Sequence, residues 1–163
     1  MELYIPKGGF RWGGVLALRD GSGKVRYRLM SDAYRLSRRL RLLDLADREA
    51  VTVRQQVPAL FPRYELEVYG LPVGAVERDL SYAPPRCTLP GLGWAVSGSL
   101  GREAYTLLAE DREIAACGAD PEDPGRLRLD LPEGPAAMRA LGVMLTVHCF
   151  LAPGESRLRE TES

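Results

Sequence analysis

Four arginines fall close together at Arg35, Arg38, Arg39 and Arg41, where a polar stretch runs into an alternating apolar segment. A guanidinium is a planar fork of N–H donors that matches phosphate oxygens in pairs, so this cluster has the chemistry of a phosphate clamp, with Arg26 and Arg28 on the neighbouring strand as additional cations. The same residues on the outer face of a sheet read equally well as solvated charge, and Asp32, Asp44 and Asp47 stand near enough in sequence to neutralise them. A second constellation is acidic: Asp120, Glu122 and Asp123, followed by Asp130. Carboxylate oxygens suit calcium, but Pro121 and Pro124 interrupt the run and no acid closes it where a calcium loop needs its bidentate glutamate. An ordinary polar turn is the plainer reading, and no metal site is expected.

His148 is the one histidine of the chain and lies in an apolar segment without a partner evident in the sequence, so a core histidine is expected. Its neighbour Cys149 projects about 100° away around a helix and does not face it. Cys87, Cys117 and Cys149 are odd in number, widely spaced and without a Cys-x-x-Cys pair, which argues against a disulfide framework and a zinc site and fits a reducing cytosol. No glycine-rich phosphate loop or nucleophile elbow appears. The expectation is a protein without catalytic residues and without a cofactor, in which Trp94, Tyr64 and Tyr105 are wall or core residues.

The elements that must carry these groups are mostly strands. The chain has 163 residues, enough for one domain with a real core, and 22 acidic residues balance 22 basic ones, so no global field draws it to nucleic acid or to an anionic membrane. Alternating apolar residues broken by polar turns recur four times: Leu16–Leu18 into Val25–Leu29 through Asp20–Gly23; Leu40–Leu42 into Val51–Val53 through Asp44–Asp47; Tyr64–Val68 into Val73–Val76 at Gly70-Leu71-Pro72; and Tyr105–Leu107 into Ile114–Cys117 through Glu110–Arg112. Trp94–Gly98 is a further strand. Regularly spaced short strands predict a sandwich or a barrel, and closure into a barrel removes exposed edges.

After Gly134-Pro135 the pattern changes. Residues about 135–152 read as a helix that stops at Pro153-Gly154, with Met138, Leu141, Met144, Leu145 and Phe150 on an almost wholly apolar surface. A helix without a polar face must be buried all round, and at about 1.5 Å per residue it is long enough to thread a small barrel. Its apolar stretch, broken by Arg139 and His148, is at or below the roughly 20 residues of a bilayer span. Met1-Glu2-Leu3-Tyr4-Ile5-Pro6-Lys7 lacks the basic start and apolar run of a secretory signal, and residue 1 is expected to be the mature start. The expected organisation is one domain over 1–153 and a disordered tail over 154–163.

Four ordered motifs, Arg19-Asp20-Gly21-Ser22-Gly23, Leu40-Arg41-Leu42-Leu43-Asp44, Leu60-Phe61-Pro62-Arg63-Tyr64-Glu65-Leu66 and Leu92-Gly93-Trp94-Ala95-Val96-Ser97-Gly98, together with the helix that follows them, resemble the LURP-one-related branch of the Tubby-like C-terminal superfamily, to which the phospholipid scramblases are related. The likeness runs over roughly residues 8–152. It implies an all-β fold with one helix: a closed barrel of about 12 antiparallel strands around a central hydrophobic C-terminal helix. It also implies a non-enzymatic protein that recognises phosphoinositide or other acidic headgroups at the cytoplasmic membrane surface, with Arg35, Arg38, Arg39 and Arg41 as the contact. Scramblases carry an acidic calcium-binding segment where Asp120, Glu122, Asp123 and Asp130 stand here. The chain departs from the family pattern in the Gly118–Gly125 stretch and in having His148 where many relatives place an acid. A protein-interaction module within a larger assembly is the second reading and scramblase-like lipid transport the third. No nucleic-acid partner and no membrane span are expected, and the location implied is cytoplasmic or peripheral at the membrane.

Overall fold

The structure is a computed structural model and describes residues 1–32, 38–56, 62–79 and 86–152. Twelve antiparallel strands follow one another as β1 (Glu2–Pro6), β2 (Val15–Arg19), β3 (Val25–Asp32), β4 (Arg39–Leu43), β5 (Glu49–Gln55), β6 (Arg63–Val68), β7 (Leu71–Asp79), β8 (Arg86–Thr88), β9 (Trp94–Ser99), β10 (Ala104–Ala109), β11 (Arg112–Ala119) and β12 (Arg126–Asp130). They form one sheet in the order β8-β7-β6-β5-β4-β3-β2-β1-β12-β11-β10-β9. Every neighbour is also a sequence neighbour except at the β1–β12 junction, where Glu2 to Pro6 pair with Asp130 to Arg126 and join the two ends of the chain. β8 and β9 meet only at the Leu89–Trp94 bridge among the described residues, so the sheet is a barrel that is nearly closed.

The strands form where apolar and charged residues alternate, because a period of two puts one set inside and the other in water. In β4 Leu40 and Leu42 are buried between the half-exposed Arg39, Arg41 and Leu43, and in β12 Leu127 and Leu129 alternate with Arg126, Arg128 and Asp130. The first and second of the expected hairpins stand as read; in the fourth the turn is Glu110-Asp111, and Arg112 already belongs to β11, paired with Ala109. In the third the turn is Tyr69-Gly70, and Leu71 and Pro72 already belong to β7. Pro72 is tolerated there because it sits one residue into the strand beside a register shift between Leu66 and Glu67, where the ladder is already irregular. The turn joining β8 to β9 folds back on β7: Ala75 N–H donates to Pro90 C=O at 3.0 Å, and Gly74 leaves the room, since a Cβ there would lie 2.6 Å from that oxygen.

Helix α1 (Ala136–Thr146) continues into a π turn (Val147–Leu151) and runs inside the barrel. Ala140, Leu141, Val143, Met144, Leu145 and Val147 are buried against Leu3, Leu18, Leu42, Val51, Leu66 and Leu107 of the wall. Met138 and Phe150, near the two ends, are only partly buried. Gly142 is the point of closest approach, where an added Cβ would come within 3.2 Å of Val51 Cγ1. The last turn differs from the uniform helix expected. Its wider i→i+5 winding changes the angular spacing of His148 and Phe150, which meet partners at the barrel mouth. Among the described residues no helix is long and apolar enough to cross a membrane.

Candidate functional site

In an up-and-down barrel successive connections alternate between the two rims. The short turns β2–β3, β4–β5, β6–β7, β8–β9 and β10–β11 lie on one rim, and α1 starts there after β12. The β1–β2, β9–β10 and β11–β12 connections lie on the other, together with the facing ends of β3 and β4 and of β5 and β6. The π turn therefore emerges at this loop rim. Aromatic rings continue outward from it: Phe150 lies 4.4 Å from Tyr64 and 4.8 Å from Trp12 between ring centroids, and Trp12 meets Phe10 edge-on at 5.1 Å. Phe10 in turn packs against His148 at 6.4 Å. The 7–14 connection that carries Phe10 and Trp12 is tied to β3, because Gly13 N–H donates to Ser31 Oγ (2.9 Å) and Ser31 O–H donates to Arg11 C=O (3.3 Å).

Arg38 sits on this cluster, its guanidinium 4.9 Å above the Trp12 ring. Its backbone is fixed by Gln55, whose N–H donates to Arg38 C=O at 2.9 Å. Among the described residues no carboxylate pairs with its side chain. The other expected cations behave differently. Antiparallel register sets Arg39 opposite Asp32, and the two form an ion pair at 2.9 Å. Arg41 reaches Asp32 (3.9 Å) and Glu49 (3.6 Å), with a buried Nε that has no partner. Arg26 pairs with Asp20 and Arg28 with Asp47. Arg35 lies outside the described residues. The structure thus separates a cluster contiguous in sequence into neutralised pairs on the barrel wall and one cation held over an aromatic ring at the mouth.

The acidic constellation is a built turn. Asp120 Oδ2 accepts from Arg126 Nε at 2.6 Å, and Asp120 Oδ1 accepts the Glu122 N–H at 3.1 Å. Asp123 Oδ1 accepts the Gly125 N–H, and Asp130 pairs with Arg128. Among the described residues no group of three or more acids, histidines or cysteines is arranged to hold a metal. The Arg126 hydrogen bond, assisted by the Glu122 N–H and opposed by desolvation, holds the Asp120 carboxyl below the usual range. A depressed carboxylate contributes stability that is present above its unfolded pKa and is lost as pH falls through its folded one. The stability difference between wild type and Asp120→Asn should therefore be constant near neutrality and shrink in acid below about pH 4, as read by urea unfolding at a series of pH values.

His148 is buried, as expected, yet only half satisfied. Its Nδ1 lies 2.7 Å from Glu103 Oε2, while Nε2 is buried with no partner among the described residues. Glu103 occupies the left-handed region at φ +51°, unusual for a glutamate, and comes from a connection 45 residues away. No spacing rule links the two, so sequence reasoning missed the pair. The neighbouring groups are held neutral by burial, which pushes the Cys117 thiol up to about 12 and the Tyr105 phenol and Cys149 thiol well above their usual values. Raised thiols are poor nucleophiles at neutral pH.

Fold and rim together define a class: a twelve-stranded, nearly closed antiparallel barrel wound around a buried C-terminal helix, whose mouth carries an aromatic cluster with Arg38 stacked on it. No protein-family model matches the chain. It is similar to YxjI, an uncharacterised protein of Bacillus subtilis, at 23% identity over 107 residues, which is 66% of this chain and 66% of YxjI, just under two thirds of that protein's length. The X-ray structure of an Arabidopsis thaliana protein, AT5G01750, superposes with a TM-score of 0.61 over 94% of this chain and 90% of that one, at 17% identity. That likeness establishes a shared fold across nearly the whole chain.

Proposed function

We propose that the chain is a non-enzymatic binding barrel of the Tubby-like, LURP-one-related kind that recognises acidic lipid headgroups at the cytoplasmic face of a membrane, with Arg38 as its principal contact. The observation that carries the reading is the Arg38 guanidinium stacked on Trp12 at the loop rim without a carboxylate partner among the described residues. Stacking on a ring fixes the fork's plane while leaving its N–H edge to meet a phosphate. Arg39 and Arg41, already paired, contribute less.

Liposome co-sedimentation tests this with neutral, anionic and phosphoinositide-containing vesicles. Salt-sensitive pelleting with the charged vesicles is expected for wild type and Arg39→Ala, and its loss for Arg38→Ala. Absence of pelleting with every vesicle would sink the reading.

A specific observation favours a second reading, a protein-interaction module within a larger assembly. On the opposite rim, adjacent hairpin tips expose Leu45 (66%), Tyr69 (49%) and Leu71 (70%). The Tyr69 ring is pinned by its O–H to Asp44 (3.1 Å) and by Arg48 above it, and an apolar contact there would be nearly indifferent to salt. Scramblase-like transport would require the buried helix to leave the barrel, and no observation favours it.

A further inference from the structure

Three local departures from regular geometry converge on one point of the loop rim: the π turn at Val147–Leu151, the left-handed Glu103 backbone, and the buried His148 Nε2, which has no partner among the described residues. Each costs free energy, and such costs persist where the surrounding structure holds them for a purpose. What they jointly produce is the Glu103–His148 contact, which ties the β9–β10 connection to the end of the central helix. β9 ends the sheet on one side of the β8–β9 seam, so this contact sits on the hairpin that borders that seam.

We propose that Glu103 and His148 form a proton-operated latch that controls the aromatic mouth and, through it, Arg38. The proposal rests on the headgroup reading above for its biological meaning and on the geometry alone for its mechanism. With Nδ1–H donating to the carboxylate, the neutral imidazole keeps a lone pair on Nε2 in dry surroundings, a tolerable omission. Adding a proton there creates an N–H donor that no described group accepts, and a buried donor without an acceptor is driven toward water. An aromatic neighbour of the imidazole is Phe10, which packs on Trp12, which in turn carries Arg38. Protonation therefore displaces Phe10, loosens the 7–14 connection and removes the platform under Arg38.

The groups grouped with the pair are Tyr105 from β10, Cys117 from β11 and Cys149 on the helix. All three stay uncharged through the acid range, because burial raises them. Cys117 donates its S–H to Glu103 C=O at 3.6 Å, which fixes the carboxylate's backbone without supplying a charge. Charged groups near the aromatic cluster include Arg38, stacked on Trp12, and Arg78, close enough for its charge to act on the Tyr64 phenol. His148 and Glu103 are thus the pair in this group on which the latch turns.

Because His148 is the one histidine and the chain has two tryptophans, proton NMR reads the latch directly. During titration from about pH 8 to 5 the His148 imidazole C–H signals follow protonation, with Trp12 at the mouth and Trp94 at the other rim as reporter and control. The expected result is that the Trp12 indole N–H signal moves with the same midpoint as His148 while Trp94 stays fixed. Glu103→Gln, which keeps an acceptor oxygen but removes the charge, should change the pH at which the Trp12 signal moves. A Trp12 signal indifferent to His148 titration, or a His148 that takes up no proton before global unfolding, overturns the latch. Vesicle pelleting at the two pH extremes separates the layers: a working latch in a protein that never pellets removes the headgroup reading and leaves the latch standing.

Discussion

Leu141→Ala should lower the unfolding free energy by about 2–5 kcal/mol, a range typical of emptying a fully buried leucine position. Leu141 is wholly inaccessible and sits on the helix that every inward-facing strand residue surrounds, so the wall cannot collapse onto the space without moving several strands at once. In a chain of this size the expected fall in Tm is roughly 5–15 °C. Leu71→Ala is the matched comparison: the same chemistry at a site 70% exposed on a hairpin tip, expected to change stability by no more than about 0.5 kcal/mol. Thermal and urea unfolding of both variants would check the pair. Equal losses would mean that the helix is not the core of the barrel. The comparison also prepares a tool, because a folded Leu71→Ala protein with weakened partner binding would isolate the apolar tips from the headgroup site.

Gly98→Ala should be at least as damaging, by about 3 kcal/mol or more, through the backbone and not through lost packing. Gly98 has φ +113°, and a Cβ there would stand 2.5 Å from Ala104 C=O and 2.8 Å from Tyr105 Cα on the strand it pairs with. Both atoms are backbone, so the β9–β10 register has to shift, and a shift by one residue would turn Trp94 and Val96 away from the core that they partly cover. Gly118→Ala is the contrast. It lies in β11 without a positive φ and with nothing within 4 Å of an added Cβ, so alanine is expected to be neutral or stabilising by up to about 1 kcal/mol. Since β10 leads directly from Glu103, Gly98→Ala should also disturb the His148 imidazole signal, whereas Gly118→Ala should leave it in place. Amide exchange in β9 and β10 would localise the damage to the side of the barrel next to the β8–β9 seam.

The hairpins, the barrel and the central helix were legible because their causes are local. Asp20-Gly21-Ser22-Gly23 makes a turn by its own side-chain and glycine chemistry, with Asp20 Oδ1 accepting the N–H groups of Ser22 and Lys24. The alternation of Leu40 and Leu42 with Arg39 and Arg41 declares a two-sided strand, and a helix apolar on all faces has nowhere to go but inside. β1, β8 and β12 were not legible as strands of the pattern. β8 has three residues, and β1 and β12 make no hairpin of their own but pair with each other across the whole chain, a contact for which no short-range signal exists.

The candidate site divides in the same way. Composition and spacing determined that the chain has arginines able to bind phosphate and one histidine in an apolar helix. Which arginine lacks a carboxylate partner among the described residues depended on register, because only the pairing of β3 with β4 puts Asp32 against Arg39. The partner of His148 depended on closure, because Glu103 in the β9–β10 connection meets it only once the helix is threaded and its last turn has widened. Local chemistry along the chain fixes turns, faces and burial. Contacts between residues far apart in sequence exist only after the ring of strands has closed, and it is those contacts that separate wall charges from the cation at the mouth.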